Sequence, residues 1–255
     1  MRGFYSVASG IFTQQENINT IANNIANAST AGFKTQNNIQ STFGEHVTMR
    51  MSELNDFKYK QPIGRGAFIA VNIDEYVDFT QGSIHQTDRS LDFAINGDGF
   101  FAVEDKGGNI VLSRDGQFEM DAEGNLILKD VGYVLNESLD HITLSGANFG
   151  VAANGEIFEE GESVDKLAMV FPNEGVEIFK VGEETYSTGE NQTNFTQMDD
   201  GTFEILQGRL ENSNVDMSEQ MTKLIRSNRN FGSCAELLKI YDAINEISAN
   251  QIGKL

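Results

Sequence analysis

Residues 21–34 read IANNIANASTAGFK, and they end a segment in which the apolar side chains recur every three or four positions. The positions that share this spacing, all apolar except Gln14, are Phe4, Val7, Ile11, Gln14, Ile18, Ile21 and Ile25. A repeat of about 3.5 residues is typical of a helix that lies along another helix. Asn, Gln, Ser and Thr fill most of the other positions, so this helix buries little surface alone and is predicted to need a partner.

The predicted partner is a second helix near the other end of the chain, over residues 215–252. Its spaced positions, with a change of phase after Leu238, are Met217, Met221, Leu224, Asn228, Phe231, Ala235, Leu238, Tyr241, Ile244, Ile247 and Ile252. Ser213, Asn214 or Asp216 could cap its start, since short polar side chains accept hydrogen bonds from the first amides of a helix. The two terminal helices are therefore predicted to pair as a coiled coil.

Between these helices, residues 70–207 read as short apolar runs separated by turns. Asn-Gly and Asp-Gly dipeptides, as at residues 96–99 and 115–116, favour the positive φ angles of tight hairpins. Turn signals at this spacing predict an antiparallel β-rich domain, either a barrel or a sandwich. Residues 35–69 have weaker periodicity and are predicted to form an extended or partly disordered connector. The sequence thus predicts an α+β fold with a β-rich domain inserted between the terminal helices.

The charge is concentrated in the middle of the chain. Residues 46–210 hold thirty acidic and eleven basic side chains, a net charge of −19 out of −20 for the whole chain. Near-neutral ends suit surfaces that pack against one another, whereas a strongly acidic middle suits a solvated surface. Because no stretch clusters Lys and Arg with aromatic residues, we expect no nucleic-acid binding, and anionic membranes are disfavoured for the same reason. No apolar run is long enough for a membrane span, and no cleaved signal peptide is recognisable.

No group of residues has the spacing of a catalytic, cofactor or metal site. The histidines stand isolated at positions 46, 85 and 141. The only cysteine, Cys234, is predicted to be a buried thiol within the second helix. The acidic residues that could offer oxygens to calcium are Asp115, Glu119, Asp121 and Glu123. They do not reproduce the ligand order of an EF-hand, so we expect no metal, no cofactor and no enzyme activity.

Four stretches and the second helix resemble one known family. Residues 22–34 (ANNIANASTAGFK), 90–104 (SLDFAINGDGFFAVE), 113–126 (SRDGQFEMDAEGNL) and 208–220 (GRLENSNVDMSEQ) are similar, in the same order, to segments of the bacterial flagellar axial proteins. That family comprises rod, hook and hook-associated proteins, and residues 221–250 resemble its carboxy-terminal helix. The resemblance covers most of the chain, and four ordered matches are more specific than any one alone.

This resemblance implies a structural subunit of the flagellar basal-body rod, which assembles through its terminal helices into a helical tube that transmits torque. Its expected partners are other copies of itself, other rod and hook subunits, and the flagellar type III export apparatus. The apparatus would carry the chain across the inner membrane to the basal body without a cleaved signal peptide. We expect no direct insertion into a membrane.

The predicted domains are an amino-terminal axial helix (1–34), a connector (35–69), a central β domain (70–207) and a carboxy-terminal axial helix (208–255). The predicted assembly interface consists of the seam residues with several amides and the turn after the first helix. Its members are Phe4, Val7, Ile11, Ile18, Ile21, Asn23, Asn24, Ile25, Asn27, Gly32, Phe33, Met217, Met221, Leu224, Asn228, Phe231, Leu238, Tyr241, Ile244 and Ile247. The amides are interpreted as intersubunit hydrogen-bonding groups, each with a net contribution of about 1 kcal/mol.

Two alternatives stay open at this point. A hook or hook-associated protein would share the same helices, although 255 residues leave room for only one β domain. An acidic, soluble β protein that binds a ligand through residues 70–210 would instead have dispensable ends, and the seams at both ends argue against it.

Overall fold

The computed structural model describes residues 2–42, 46–54, 57–66, 70–146, 149–173, 175–182, 184–189, 194–199, 201–248 and 250. The chain divides into two compact units. The first, which we call the helical unit, comprises residues 1–26, 36–78 and 216–255. The second, the β-rich unit, comprises residues 27–35 and 79–215. Helices and antiparallel strands together confirm the α+β class. Ile252, predicted as part of the second seam, lies outside the described residues.

Two helices that run antiparallel form the frame of the helical unit. They are α1 (Arg2–Ala26) and α2 (Met217–Ile247). The Asn24 amide nitrogen lies 3.5 Å from the Gln220 side-chain oxygen. Fourteen residues away along both helices, a Cβ built on Gly10 would lie 3.5 Å from the sulfur of Cys234. The two helices therefore stay in contact over at least four turns, since a turn takes about 3.6 residues.

The start of α2 shows which capping residue the helix uses. The Asp216 side chain accepts hydrogen bonds from the amides of Ser218 (2.8 Å) and Glu219 (3.1 Å). Asp216 itself has extended backbone angles, as a residue just before a helix should. One of the three predicted caps is thus confirmed.

The helical unit also contains four strands. β1 (Gln36–Thr42) pairs antiparallel with β4 (Ala70–Val77), and β2 (His46–Leu54) pairs antiparallel with β3 (Phe57–Gly66). The stretch predicted as an extended or partly disordered connector, residues 35–69, thus contains β1, β2 and β3, and β1 pairs with a strand at the start of the predicted β domain. Weak alternation concealed them, because short two-stranded ribbons need no continuous apolar face.

The β-rich unit consists of sixteen strands among the described residues. They are β5 (Ile84–Gln86), β6 (Phe93–Gly97), β7 (Phe100–Asp105), β8 (Ile110–Ser113), β9 (Phe118–Met120), β10 (Leu126–Leu128), β11 (Gly132–Val134), β12 (Phe149–Val151), β13 (Glu156–Glu159), β14 (Glu162–Lys166), β15 (Met169–Pro172), β16 (Phe179–Lys180), β17 (Thr185–Ser187), β18 (Phe195–Gln197), β19 (Phe203–Gln207) and β20 (Arg209–Glu211). All described pairings are antiparallel, as the turn pattern predicts.

The largest sheet of this unit has nine strands. Seven of them follow the order β16-β17-β8-β7-β11-β10-β9, while β15 pairs with both β7 and β18. The smaller pairings are β12-β13-β14, β19-β6 and β20-β5. Aromatic rings fill the centre of the core, where Phe118 lies 5.1 Å from Phe101 and 5.5 Å from Phe93 between ring centroids.

The acidic side chain of Asp121 is engaged in the hairpin turn at residues 121–125. Asp121 accepts hydrogen bonds from the amides of Glu123 (3.0 Å) and Asn125 (2.7 Å), and from the Asn125 side chain. The Asn125 hydrogen bonds lower the pKa of Asp121, since they favour its charged form. Its oxygens thus stabilise the hairpin turn. In the described part of the chain, no group of three or more Asp, Glu, His or Cys residues is arranged to hold a metal ion.

Candidate assembly interface

The contact between α1 and α2 uses a different face of α2 from the one that the sequence predicts. The side chains of α2 that are buried or half-buried are Gln220, Lys223, Leu224, Ser227, Phe231, Cys234, Ala235 and Leu238. Met217, Met221 and Asn228 are exposed instead. Of the predicted seam up to that point, the residues that lie on the buried side are therefore Leu224, Phe231, Ala235 and Leu238. Cys234, predicted as a buried thiol, is half-buried on this side.

Buried polar side chains explain why the face of α2 that contacts α1 differs from the predicted seam. Gln220 is 2% exposed and faces Asn24, which is 1% exposed. Asn24 also donates to the main-chain oxygen of Gln36 at 2.7 Å and accepts from the Gln36 amide at 3.0 Å. A buried amide with satisfied hydrogen bonds can replace an apolar seam residue and fix the register of the pair. The Asn24 amide, predicted to bond to another subunit, is thus engaged within the chain.

An apolar surface remains exposed on both helices. We call it the exposed stripe, and its members are Tyr5, Phe12, Met217, Met221, Ile225, Leu237, Ile240, Tyr241, Ile244 and Ile247. Their exposed fractions range from 37% for Tyr241 to 74% for Phe12. Large apolar side chains exposed in this number on one pair of helices indicate interaction surfaces, because monomeric proteins rarely leave extensive apolar surface in water.

The predicted interface residues fall into three groups. Ile21, Asn24, Gly32 and Phe33 are buried within their own units. Those that are half-buried are Phe4, Val7, Ile11, Ile18, Ile25, Asn27, Leu224, Phe231 and Leu238. Those that are exposed are Asn23, Met217, Met221, Asn228, Tyr241, Ile244 and Ile247. Sequence reasoning missed Tyr5, Phe12, Ile225, Leu237 and Ile240, although the spacing of seven between Tyr5 and Phe12 is itself a helical signal.

Residues 27–35, which we call the anchor segment, belong to the β-rich unit and follow α1 directly. Gly32 begins the attachment with a φ of +69°, and a Cβ there would lie 2.4 Å from the main-chain nitrogen of Asp115. Its amide donates to the carbonyl oxygen of Glu211 at 2.8 Å. Phe33 is fully buried, with the Lys180 ammonium 4.5 Å from its ring centroid. The close approach requires glycine, because any side chain would meet backbone.

A buried cluster of charges holds the next residue of the anchor segment. Lys34 is fully buried, and its ammonium donates to Glu211 at 2.6 Å and to the carbonyl oxygen of Thr80 at 2.9 Å. Arg114 approaches the second oxygen of Glu211 at 3.4 Å. Burial lowers the pKa of Arg114, and the Glu211 carboxylate opposes that shift. Two cations thus share one carboxylate in a site without water access.

The anchor segment ends on a second polar contact with the segment that precedes α2. Both the amide and the hydroxyl of Thr35 donate to the side-chain oxygen of Asn214, at 2.8 and 2.7 Å. The Asn214 side chain in turn donates to Thr80. Two of the stretches that carry the family resemblance, residues 22–34 and 208–220, therefore meet inside the β-rich unit through residues 32–35 and 211–214.

A neighbouring carboxyl gives a prediction about pH. Burial raises the pKa of Asp115, whose carboxyl lies in hydrogen-bonding contact with Glu184. Because its folded pKa is raised, Asp115 contributes stability below its unfolded pKa, and this contribution is lost as the pH rises through the folded pKa. We expect the Asp115→Asn variant to melt higher than the unaltered chain at about pH 7.5, with the difference shrinking towards about pH 4.5. Thermal melts across this range check it, with the exposed Asp140→Asn as control. A difference that grows on acidification would contradict the assignment.

The β-rich unit also contains a cavity among its described residues. A cavity of about 590 Å³ in the β-rich unit is lined by charged side chains and main chain, among them Asp105, Lys106, Asp115 and Lys129. No described residue set there has the geometry of a metal centre. Among the described residues, no helix is both long and apolar enough to cross a membrane.

Comparison with known proteins agrees with this geometry. Residues 4–34 match the family described as flagella basal body rod protein, and residues 206–252 match the flagellar basal body rod FlgEFG protein C-terminal family. Residues 94–164 match the flagellar hook protein FlgE/F/G D1 domain. The flagellar basal-body rod protein FlgG of Buchnera aphidicola subsp. Schizaphis graminum is 32% identical over 236 residues, which cover 87% of this chain and 88% of that protein.

The chain belongs to the flagellar basal-body rod protein family. Two further relatives of the rod protein show how far the similarity extends. The flagellar basal-body rod protein FlgF of Caulobacter vibrioides is 29% identical, with 95% of this chain and 94% of that protein covered. The flagellar hook-basal body complex protein FlhO of Bacillus subtilis is 26% identical over the full length of both chains. The family is structural, so the rod protein is not an enzyme.

Proposed function

We propose that the rod protein is a self-assembling structural subunit of the flagellar basal-body rod, located in the basal body and joined to other flagellar components. The observation that carries this proposal is the exposed stripe on α1 and α2. A helix pair that serves only its own chain would direct such residues inward. Here Phe12 and Ile225, at 74% and 55% exposure, are positioned to meet another subunit.

Burial of this surface contributes energy on the scale that assembly requires. Full burial of one large apolar side chain contributes about 1.5–3 kcal/mol. Ten such side chains, each about half covered already, contribute roughly 7–15 kcal/mol, which is comparable with the cost of associating two subunits, roughly 4–15 kcal/mol. Contacts of this kind that are heterologous and do not close into a ring build a helical polymer. We propose that α1 and α2 wind as a coiled coil within that polymer, and that the resulting tube transmits torque.

The export route is part of the same proposal. The rod protein would pass through the flagellar type III apparatus before it assembles, without a cleaved signal peptide. The helical unit suits passage and later ordering, because burial against neighbouring subunits then offsets the entropy of ordering.

Substitutions in the exposed stripe test the proposal. We expect Phe12→Asp and Ile225→Asp each to abolish swimming and incorporation into basal bodies, because a carboxylate would be buried at the subunit contact. The isolated variants should keep their free energy of unfolding within about 0.5 kcal/mol, since both positions are exposed in the single chain. Swimming assays and immunoblots of purified basal bodies provide the measurement.

Matched controls use exposed apolar residues of the β-rich unit. Phe179 is 53% exposed and Val164 is 48% exposed. We expect Phe179→Asp and Val164→Asp to leave incorporation unchanged. Normal incorporation of both stripe variants would contradict the proposed role of the helices.

A further inference from the structure

The exposed surface of α2 has two different halves. In the first half, residues 217–230, the exposed basic side chains are Arg226 and Arg229, and they have no carboxylate partner within the described part of the chain. Lys223 lies beside them and pairs with Glu219 at 3.0 Å. In the second half, residues 231–247, the exposed charged side chains are three acidic ones, Glu236, Asp242 and Glu246, and one basic one, Lys239, so the acidic charge predominates. The helix is thus basic near its start and acidic near its end.

Each half also carries one flank of the exposed stripe. Met217, Met221 and Ile225 form the apolar flank of the first half. Leu237, Ile240 and Ile244 form the apolar flank of the second half, and all six side chains are at least 41% exposed. A shallow groove of about 290 Å³ runs between the first apolar flank and the arginines, lined by Thr222, Ile225, Arg226, Arg229 and Asn230.

We call the two arginines of the first half the basic flank, and the acidic side chains of the second half the acidic flank. The charged and apolar flanks exchange sides of α2 between the two halves. Arg226 and Ile244 are 18 residues apart, which is about five full turns, so the basic flank and the second apolar flank lie on one side of α2. Met221 and Glu246 are 25 residues apart, about seven turns, so the first apolar flank and the acidic flank lie on the other side. From the start of α2 to its end, one side therefore carries the basic flank and then the second apolar flank. The other side carries the first apolar flank and then the acidic flank.

This exchange makes the two halves complementary in one orientation only. When two parallel helices face each other, the left flank of one meets the right flank of the other. The first half of one α2 then places its basic flank against the acidic flank in the second half of the other α2. The apolar flanks of these two halves also face each other. In an antiparallel pairing, the basic flank would meet an apolar flank, and the apolar flank would meet the acidic one.

We propose that α2 of one copy packs parallel to α2 of a second copy, displaced by about 20 residues, or roughly 30 Å along the helix. Arg226 of one copy then faces Glu246 of the next, and Ile225 faces Ile244. The contact is heterologous, since each copy offers its first half to one neighbour and its second half to another, so it propagates without closing. This inference rests on the proposed function and specifies the partner and geometry of the same surface.

Charge exchange tests the pairing in living cells. We expect Arg226→Glu and Glu246→Arg to reduce the rod protein in basal bodies at least about tenfold each, because each places like charges opposite one another. The double variant Arg226→Glu/Glu246→Arg restores opposite charges at every contact and should recover incorporation. Arg209→Glu, an exposed reversal in the β-rich unit, is the matched control and should have no effect. A double variant that incorporates less than either single variant would overturn the pairing.

Disulfide trapping tests the orientation independently. In a Cys234→Ser background, Ile225→Cys/Ile244→Cys basal bodies are oxidised and run on a denaturing gel. We expect a ladder of linked chains, whereas either single cysteine variant should give monomer. Linked dimers from a single variant would show a different contact and overturn the proposal. If the rod protein is present in basal bodies and no ladder forms, this contact is wrong while the proposed function stands; absence from basal bodies would refute the proposed function itself.

Discussion

The Glu211→Gln variant is expected to lower the free energy of unfolding of the β-rich unit by about 3–5 kcal/mol, because it removes the carboxylate that two buried cations share. Glu211 is 1% exposed and serves both Lys34 and Arg114, which are 0% and 3% exposed. It also accepts a hydrogen bond from the amide of Gly82 at 2.8 Å. A neutral amide keeps the shape of the side chain and removes the charge. Urea denaturation followed by circular dichroism measures the change.

A partly exposed ion pair provides the control for this prediction. Lys166 and Glu137 approach to 3.7 Å, with 22% and 55% of their side chains exposed. Glu137→Gln should therefore change the free energy of unfolding by about 1 kcal/mol or less. If Glu211→Gln costs no more than Glu137→Gln, the buried cluster does not stabilise the anchor segment.

The Gly32→Ala variant is expected to have the second largest effect on stability. Alanine at a φ of +69° costs about 1 kcal/mol in backbone strain, and overpacking against the backbone adds about 1–3 kcal/mol. The clash is with backbone atoms of Arg114 and Asp115, all within 2.6 Å of the added Cβ, so rotation of a side chain cannot relieve it. We expect loss of the anchor segment's attachment, seen as faster hydrogen exchange at the amide of residue 32, which donates to the carbonyl oxygen of Glu211 in β20.

Gly175 is the control position that separates the cost of backbone strain from the cost of a steric clash. Its φ is +79°, but a Cβ there would meet nothing within 4 Å. Gly175→Ala should therefore cost only the strain of about 1 kcal/mol. Equal effects at Gly32 and Gly175 would contradict the close packing of the anchor segment.

The sequence predicts the broad architecture because its strongest patterns are local. The apolar spacing of the terminal segments predicts both helices, and Asn-Gly and Asp-Gly turns predict the antiparallel strands. Capping by Asp216 follows from the same local chemistry. The face of α2 that contacts α1 does not follow from local chemistry. α2 carries more than one apolar stripe, and the spacing alone selects the most apolar of these stripes. Gln220 and Ser227 take the seam positions that the adjacent Met221 and Asn228 were predicted to hold.

The buried charges could not be predicted from one sequence. Lysine is rarely fully buried, so Lys34 reads as a solvated residue at the end of a helix. Its partner, Glu211, lies 177 residues away, and no local pattern joins the two positions. The available signals were indirect, namely the glycine at position 32 and the similarity of residues 22–34 and 208–220 to one family.

Peptide mass spectrometry of hook–basal bodies tests most directly whether this chain is a rod subunit. The preparation is divided, and the hooks are sheared from one half before digestion. We predict that peptides of this chain stay with the sheared basal bodies at an unchanged ratio to a ring protein. Loss of those peptides with the hooks, or their absence from both fractions, would contradict the claim.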